Sequence, residues 1–537
     1  MADTAPDRKR PNFLMIVTDQ HRADYLGCAG HPILKTPHID GIAARGVRFD
    51  RFYVANPVCM PNRATLVTGR MPSLHGVRHN GIPLALSENT FVDLMRHEGY
   101  RTALIGKSHL QNMTGEPPSM QRRIEPRDDA FAEARKPEAL AVGAYEEERP
   151  WTWKEDPDHE IPTPFYGFED VSLATMHSDK VGAAYIAWMK ARGGDPATMV
   201  GPENALPHDY VAPQGWRTAV PEELYPTSYV AEESIGWLDA YAQEGGNRPF
   251  FLTASFPDPH HPFTPPGKYW DMYDPADFDL PESFHRLSNQ APPTLRWMWE
   301  NRPPGDGSRN VGQVAYTVTE REARESMALT CGMISMIDDA VGRILARLDA
   351  LDLADDTIVV FTADHGDFLG DHRIVLKGPM HFQALVKVPF IWAEPDGRNA
   401  GATCSALAGT VDIARTMLSR AGIVPYNGIQ GRSLEPEIAT LEDRGGGAVL
   451  IEDDQQRAIM GFERDFRVHS LITRRWRLSV YSGAGHCELY DLENDPYELT
   501  NLYDDPAHAA VRADMLERLA KAEIETVDRS PFPTAIA

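Results

Sequence analysis

The chain has 537 residues, 42% of them hydrophobic and 24% charged, with a formal net charge of −25. That balance reads as a soluble globular protein with room for one large domain and a smaller one. Its acidity argues against nucleic acid or an anionic membrane as partner, since both need basic surface, and no run approaches the roughly 20 apolar residues of a membrane span. The five cysteines, Cys28, Cys59, Cys331, Cys404 and Cys487, are odd in number and contain no C-x-x-C pair, so neither a disulfide framework nor a zinc site is indicated. The first ten residues run into a short apolar stretch at 13–17 that is too brief for a secretory leader, so the expected location is the cytoplasm.

Residues 12–18 read as a fully buried strand that stops at Asp19-Gln20. Thr36-Pro37 predicts a helix start and Gly46 its end, before a second strand at 47–54. That strand leads into Asn56-Pro57-Val58-Cys59-Met60-Pro61-Asn62-Arg63, a turn entering a helix, with Pro61 suited to the first helical position. A helix at 90–97 and a strand at 102–105 follow, ending in Gly106-Lys107-Ser108-His109. Residues 111–216 are rich in Pro, Glu, Asp and Gly without a sustained period and read as an insertion of long loops. A helix at 227–243 and a strand at 249–255 deliver Pro257-Asp258-Pro259-His260-His261. After a second loop-rich insertion at 281–319, Met327, Cys331, Ile334, Ile337, Val341, Ile344, Leu348 and Leu351 recur at helical spacing, which makes Cys331 a core residue. The strand at 357–362 ends at Ala363-Asp364-His365-Gly366-Asp367.

Each group of ligand-type side chains thus lies just past the carboxyl end of a candidate buried strand or in the loop leaving it. Alternating strands and helices imply an α/β fold: a large, mixed, mostly parallel sheet sandwiched by helices, whose ligands bind beyond the carboxyl ends of the strands. Beyond a strand at 388–392 and a helix at 412–420, the pattern changes to short strands at 448–451, 466–472 and 476–481. These predict a small antiparallel sheet, so that 1–440 form the catalytic α/β domain and 441–537 a C-terminal α+β subdomain. Asp19, Gln20, Asp364 and His365 offer two carboxylates, an amide oxygen and an imidazole, a donor set for a hard or borderline divalent cation.

Cys59-Met60-Pro61-Asn62-Arg63 with Leu66-Val67-Thr68-Gly69-Arg70 resembles the signature of the type I sulfatases of the alkaline phosphatase superfamily. The order of the other motifs agrees, including Lys377-Gly378-Pro379-Met380 and the closing run Glu488-Leu489-Tyr490-Asp491 through Asp495-Pro496-Tyr497-Glu498. The resemblance implies that Cys59 is oxidised by a formylglycine-generating enzyme to formylglycine, whose hydrated aldehyde is the nucleophile. It also implies Asp19, Gln20, Asp364 and His365 as ligands of one metal ion, Ca²⁺ before Mn²⁺ or Mg²⁺. Arg63 is then expected to hold the nucleophile, Lys107 and Lys377 to contact the sulfate, and His109 to help expel it. His260, with His261 beside it, is expected at the leaving group, and Asn80 at the substrate. One position departs from the pattern: Asn62 stands where the family usually has Ser or Ala.

The expected activity is hydrolysis of small-molecule sulfate monoesters, aryl or alkyl, by a homo-oligomeric enzyme. The nearest alternative is a phosphonate monoester hydrolase or phosphodiesterase of the same superfamily, against which Lys107-x-His109 argues. A non-catalytic anion-binding protein with an unmodified Cys59 is the other reading.

Overall fold

The computed structural model describes residues 10–116, 145–286, 291–302, 314–445, 447–455 and 459–536. Eight strands form the main sheet, in the order Ala402–Cys404, Val47–Phe49, Phe390–Ala393, Thr357–Ala363, Asn12–Thr18, Phe250–Ser255, Arg101–Gly106, Asp170–Leu173. Only Phe390–Ala393 runs against its neighbours. The central strands Asn12–Thr18, Phe250–Ser255 and Thr357–Ala363 are buried along their whole length, as strands covered on both faces must be. One face packs around Phe13, Met15, Val17, Met60, Leu66 and Phe251. The other packs around Leu14, Ile16, Tyr229, Leu252, Ile337 and Val341.

The 31-residue helix Glu320–Ala350 starts at a capping box, in which the Thr319 side chain accepts from Glu322 N–H and Glu322 reciprocates. Its periodic apolar face enters the core, and Cys331 is fully buried there. A second sheet of four antiparallel strands, Ala448–Gln455, Phe466–Thr473, Trp476–Ser482 and Cys487–Asp491, is backed by the helix Ala509–Glu525, to which the sequence reading gave no bounds. Among the described residues, no helix is long and apolar enough to cross a membrane.

The structure corrects three local expectations. The strand expected at 47–54 is two short ones, Val47–Phe49 and Phe52–Tyr53, that join different sheets. The stretch 111–216 is not only loop: it supplies the edge strand Asp170–Leu173 and the helices Pro150–Glu155 and Ala184–Ala191, while 117–144 lie outside the described residues. Likewise 281–319 contain the helices Glu282–His285 and Pro293–Glu300 and the strand Tyr316–Thr317, with 287–290 and 303–313 outside the described residues. In both stretches the elements are four to eight residues or shorter, too brief for hydrophobic periodicity to register.

Candidate active site

Hydrogen bonds that prolong the parallel ladders set the frame of the site. Asp364 N donates to Thr18 O at 3.1 Å, Asp19 N to Asp258 O at 3.0 Å, and Lys107 N to Ser255 O at 2.9 Å. The residues just past four strands are thereby held in register, and their side chains converge.

Cys59 opens the helix Cys59–Thr68, whose N-cap Val58 offers no side-chain acceptor. Pro61 is therefore the third helical residue rather than the first; it still needs no N–H partner, because the first turn has none to give. Asn80 Oδ1 accepts from Met60 N–H at 3.1 Å, a bond that leaves both Nδ2 hydrogens uncommitted. Asn62 has a structural use that a smaller residue could not serve. Its oxygen accepts from Ala55 N–H at 3.1 Å and Thr410 Oγ1 at 2.7 Å, while its Nδ2 donates to Asp364 O at 2.5 Å.

The Cys59 Sγ is 3.1 Å from Lys377 Nζ and 3.1 Å from His365 Nε2. Burial and Asp19 push the thiol's pKa up, but Lys377, His365 and Lys107 outweigh them and bring it below the usual range. Arg63 binds four groups: Asp364 Oδ2 at 2.8 Å, Lys107 O at 2.9 Å, Ser255 Oγ at 3.0 Å and Asp19 Oδ2 at 3.5 Å. Lys107 Nζ pairs with Asp19 Oδ2. Burial opposes ionisation of Asp19, yet Lys107 and Arg63 hold its carboxyl well below the usual range.

Histidine tautomers follow from acceptors that carry no proton. His365 Nδ1 lies 2.8 Å from Gly366 O and His260 Nδ1 lies 2.5 Å from His261 O, so each Nδ1 bears the hydrogen and each Nε2 presents its lone pair. The His260 Nε2 is 2.9 Å from Lys377 Nζ and accepts from the ammonium. His261 turns the other way, its Nδ1 facing Gln20 Nε2 at 3.1 Å, so His260 is the member of the pair that joins the reacting groups.

The Gln20 amide nitrogen is committed to Asp367 Oδ2 at 2.5 Å and to His261, which leaves Gln20 Oε1 buried and without a partner among the described residues. His365 Nε2 faces Asp19 Oδ1 at 3.6 Å and Asp364 Oδ1 at 3.8 Å. Those donors now share the hydrogens of Lys377 Nζ, 3.0 Å from His365 Nε2, and of Gln20 N–H, 3.1 Å from Asp364 Oδ1, and the Nδ1–H to Gly366 O is the usual outer support of a ligating histidine. Two carboxylates, an imidazole and an unpartnered amide oxygen are a donor set that fits a hard or borderline divalent ion. Donor atoms of Asp19, Cys59, His260 and His365 lie within 4.8 Å of one another.

His109 joins through Gly106-Lys107-Ser108-His109 with a left-handed backbone, φ 57°. Burial first, then Lys107 and Arg63, push its proton affinity well down, and its Nδ1 has no partner among the described residues. Two contributors escaped the sequence reading, both from the 111–216 stretch. Glu148 accepts the N–H groups of His109, Leu110 and Gln111 at 2.8–3.0 Å and so fixes the strained His109 turn. His177 stacks on His260 with ring centroids 3.5 Å apart and planes 12° apart, and its Nε2 lies 3.9 Å from Asp19 Oδ2. A signal for His177 did exist, since it lies just past the short strand Asp170–Leu173 as the other groups lie past theirs.

Comparison with known proteins gives the following. The family described as Sulfatase matches residues 11–423, and one described as N-sulphoglucosamine sulphohydrolase, C-terminal, matches residues 370–525. The chain is 28% identical to an arylsulfatase of Clostridium perfringens, over 96% of this chain and 95% of that one. It is 26% identical to a multifunctional alkaline phosphatase superfamily protein of Trinickia caryophylli, over 97% and 96% of the two chains. Among solved structures, a phosphonate monoester hydrolase of Agrobacterium radiobacter is similar with a TM-score of 0.76 and 27% identity, covering 98% of each chain.

Proposed function

The chain belongs to the sulfatase family of sulfuric ester hydrolases, in the alkaline phosphatase superfamily, and from that premise we propose that it cleaves aryl or alkyl sulfate monoesters through a formylglycine made from Cys59. The observation that carries this reading is the placement of Cys59, one buried sulfur within 3.1 Å of both Lys377 Nζ and His365 Nε2. An anionic nucleophile and an anionic ester both need the positive charge of that ammonium, to which Lys107 and Arg63 add.

In the proposed cycle, oxidation of Cys59 by a formylglycine-generating enzyme replaces the thiol with an aldehyde, which hydrates to a gem-diol. One diol oxygen attacks sulfur and the S–O bond to the alcohol breaks. The remaining diol hydroxyl then loses its proton and the C–O bond to sulfate breaks, regenerating the aldehyde. Arg63 and Lys107 neutralise charge at the nucleophile and the transferred group, and Asn80 offers its amide hydrogens to a substrate oxygen. His109, held neutral with a free ring nitrogen, is suited to take the diol proton. On the leaving side the ammonium of Lys377 carries the available proton, and His260, whose Nε2 accepts from it, aims it at the departing oxygen. A divalent ion held by Asp19, Gln20, Asp364 and His365, for which we propose Ca²⁺ before Mn²⁺ or Mg²⁺, supplies electrostatic stabilisation of the developing negative charge.

Sulfate monoesters, phosphodiesters and phosphonate monoesters all present a single negative charge, and the Agrobacterium radiobacter phosphonate monoester hydrolase shares the whole fold. That likeness supports a second, weaker activity toward phosphonate monoesters or phosphodiesters. All five cysteines are free thiols, which suits the proposed cytoplasmic location, and we propose a homo-oligomer. The test is mass spectrometry of the Cys59 peptide from protein co-expressed with the maturation enzyme, followed by kcat/KM for matched aryl sulfate, phosphodiester and phosphonate substrates. Thiol-to-aldehyde conversion with sulfate preferred supports the reading. A persistent thiol with full turnover, or a phosphonate preference, replaces it.

A further inference from the structure

Lys377 must bring one ammonium to three partners at once: Cys59 Sγ, His260 Nε2 at 2.9 Å and His365 Nε2 at 3.0 Å. Its own carbonyl accepts from Ala315 N–H at 2.8 Å, which prolongs the two-residue ladder of Ile374–Val375 with Tyr316–Thr317, but from there to the one-turn helix Gln383–Val386 the segment is irregular. What holds that irregular stretch just beyond Lys377 is the C-terminal sheet. The Pro379 carbonyl lies 3.0 Å from the Tyr481 hydroxyl, which is also 2.9 Å from Glu488 Oε1. His381 Nδ1 is 2.8 Å from Ser470 Oγ, and its Nε2 faces Asp453 Oδ2 at 3.5 Å. Gln383 N–H donates to Glu498 Oε2 at 2.7 Å. The Phe382 ring lies beneath the Arg477 guanidinium, 5.2 Å from centroid to Cζ, and stacks on His372 at 3.9 Å.

These contacts meet at Arg477, fully buried, which binds Glu498 Oε1 at 2.5 Å, Glu488 Oε2 at 3.0 Å and Ser479 Oγ at 2.6 Å. Ser479 in turn lies 2.6 Å from Ser470, closing the path back to His381. Glu488 and Glu498 are the first and last residues of the closing run that the proposed chemistry does not use.

We infer that the closing run acts on the reaction at a distance: Glu488, Arg477 and Glu498, through Tyr481 and His381, are positioning residues that set where the Lys377 ammonium stands. The inference rests on the proposed function, in which Lys377 meets the leaving oxygen. A scaffold with no such role predicts a uniform loss of activity or none. A scaffold that aims Lys377 predicts a loss that grows as the leaving alcohol becomes more basic, because a poor leaving group depends most on charge neutralisation at its oxygen.

The experiment measures kcat/KM for matured enzyme on aryl sulfates whose phenols span low to high pKa. The proteins are the wild type, Tyr481→Phe, Lys377→Ala and the double variant. Tyr481→Phe removes one oxygen from the clamp, and Ser470→Ala, which frees His381, serves as a second variant if the first fails to fold. The expected loss in Tyr481→Phe is about 3-fold with the best leaving phenol and about 30-fold with the worst, of the size a displacement below 1 Å produces. In the Lys377→Ala background Tyr481→Phe is expected to have no further effect. Equal losses across the series, or losses that multiply in the double variant, overturn the inference. If Lys377→Ala itself leaves the leaving-group dependence unchanged, the assignment of Lys377 in the proposed function fails, and the inference goes with it.

Discussion

Two arginines in this protein are buried between paired carboxylates. Arg477, in the C-terminal sheet, is fully buried between Glu488 and Glu498, and Arg63, at the carboxyl edge of the main sheet, is 4% exposed between Asp19 and Asp364. Their surroundings differ. Around Arg477 the Nε and Nη1 are taken up by Glu498, Glu488 and Ser479 and the guanidinium stacks on Phe382 and Tyr490, with Arg477 Nη2 and Tyr490 Oη the atoms there that lack a hydrogen-bond partner among the described residues. Around Arg63 lie Gln20 Oε1, His109 Nδ1, His177 Nε2 and His261 Nε2, each buried without a partner among the described residues. Buried polar atoms are rarely left so, and four in one place are groups kept for something that binds. The first cluster, closed by ion pairs and aromatic rings, ties two parts of the chain together; the second, open toward Cys59, gathers the groups the chemistry needs.

The largest expected effect separates the two clusters outright. Cys59→Ala should lower kcat/KM for a sulfate ester by on the order of 10⁴-fold or more, since the covalent step is lost, with little change in the thermal midpoint. Residual turnover near wild type would remove the nucleophile assignment. Chelation comes next: stripping the divalent ion should cost roughly 10³-fold in activity, the several kcal/mol a Lewis acid supplies. Readdition of Ca²⁺, Mn²⁺ or Mg²⁺, with elemental analysis of the reloaded protein, then names the ion, and full activity in metal-free protein sinks the site. At the closed cluster, Arg477→Met leaves two carboxylates buried without a counter-charge and should cost about 3–5 kcal/mol in urea unfolding. A neutral result there would show that the sheet tolerates the unpaired acids.

Glu148 gives a prediction in pH. Burial raises its pKa to about 7 from 4.5, although three backbone N–H groups oppose the rise. A carboxyl whose folded pKa is raised favours the fold below about 4.5 and loses that contribution as pH climbs through 7. Glu148→Gln, which does not titrate, should therefore gain stability relative to wild type between pH 4.5 and 7, by on the order of 3 kcal/mol at the alkaline end. Urea midpoints of the two proteins at pH 5 and pH 8 check the sign; a difference independent of pH contradicts it. The smallest effect is expected from His177→Phe, which keeps the stack on His260 but removes the nitrogen facing Asp19. A fall of about tenfold in kcat/KM, with an unchanged KM, would mark a group that acts in the transition state.

Much of this was legible in the residues, for a physical reason. The central strands are apolar from end to end, and each hands its chain to a polar cluster at the same edge, so Asp19, Lys107, His260 and Asp364 could be placed together without coordinates. The parts that stayed hidden share the opposite property. The edge strand Asp170–Leu173 is four residues long and mostly half-exposed, so it has no apolar run to announce it. With that strand unread, His177 looked like any loop histidine. Glu148 works through backbone N–H groups, which carry no side-chain pattern. Asn62 looked like a blemish in a signature because its three partners, Ala55, Asp364 and Thr410, come from distant parts of the chain.

If Cys59 is converted as proposed, its burial sets an order of events in the cell. At 1% exposure, followed by Met60, Pro61, Asn62 and Arg63 that are equally covered, the cysteine offers no surface to another enzyme once the chain has folded. A catalyst that converts its thiol must therefore reach the nascent or unfolded polypeptide, in competition with collapse of the sheet. Folding faster than maturation would strand a well-formed but inert protein, so synthesis rate and supply of the maturation enzyme, rather than conformational stability, would govern how much active enzyme a cell obtains.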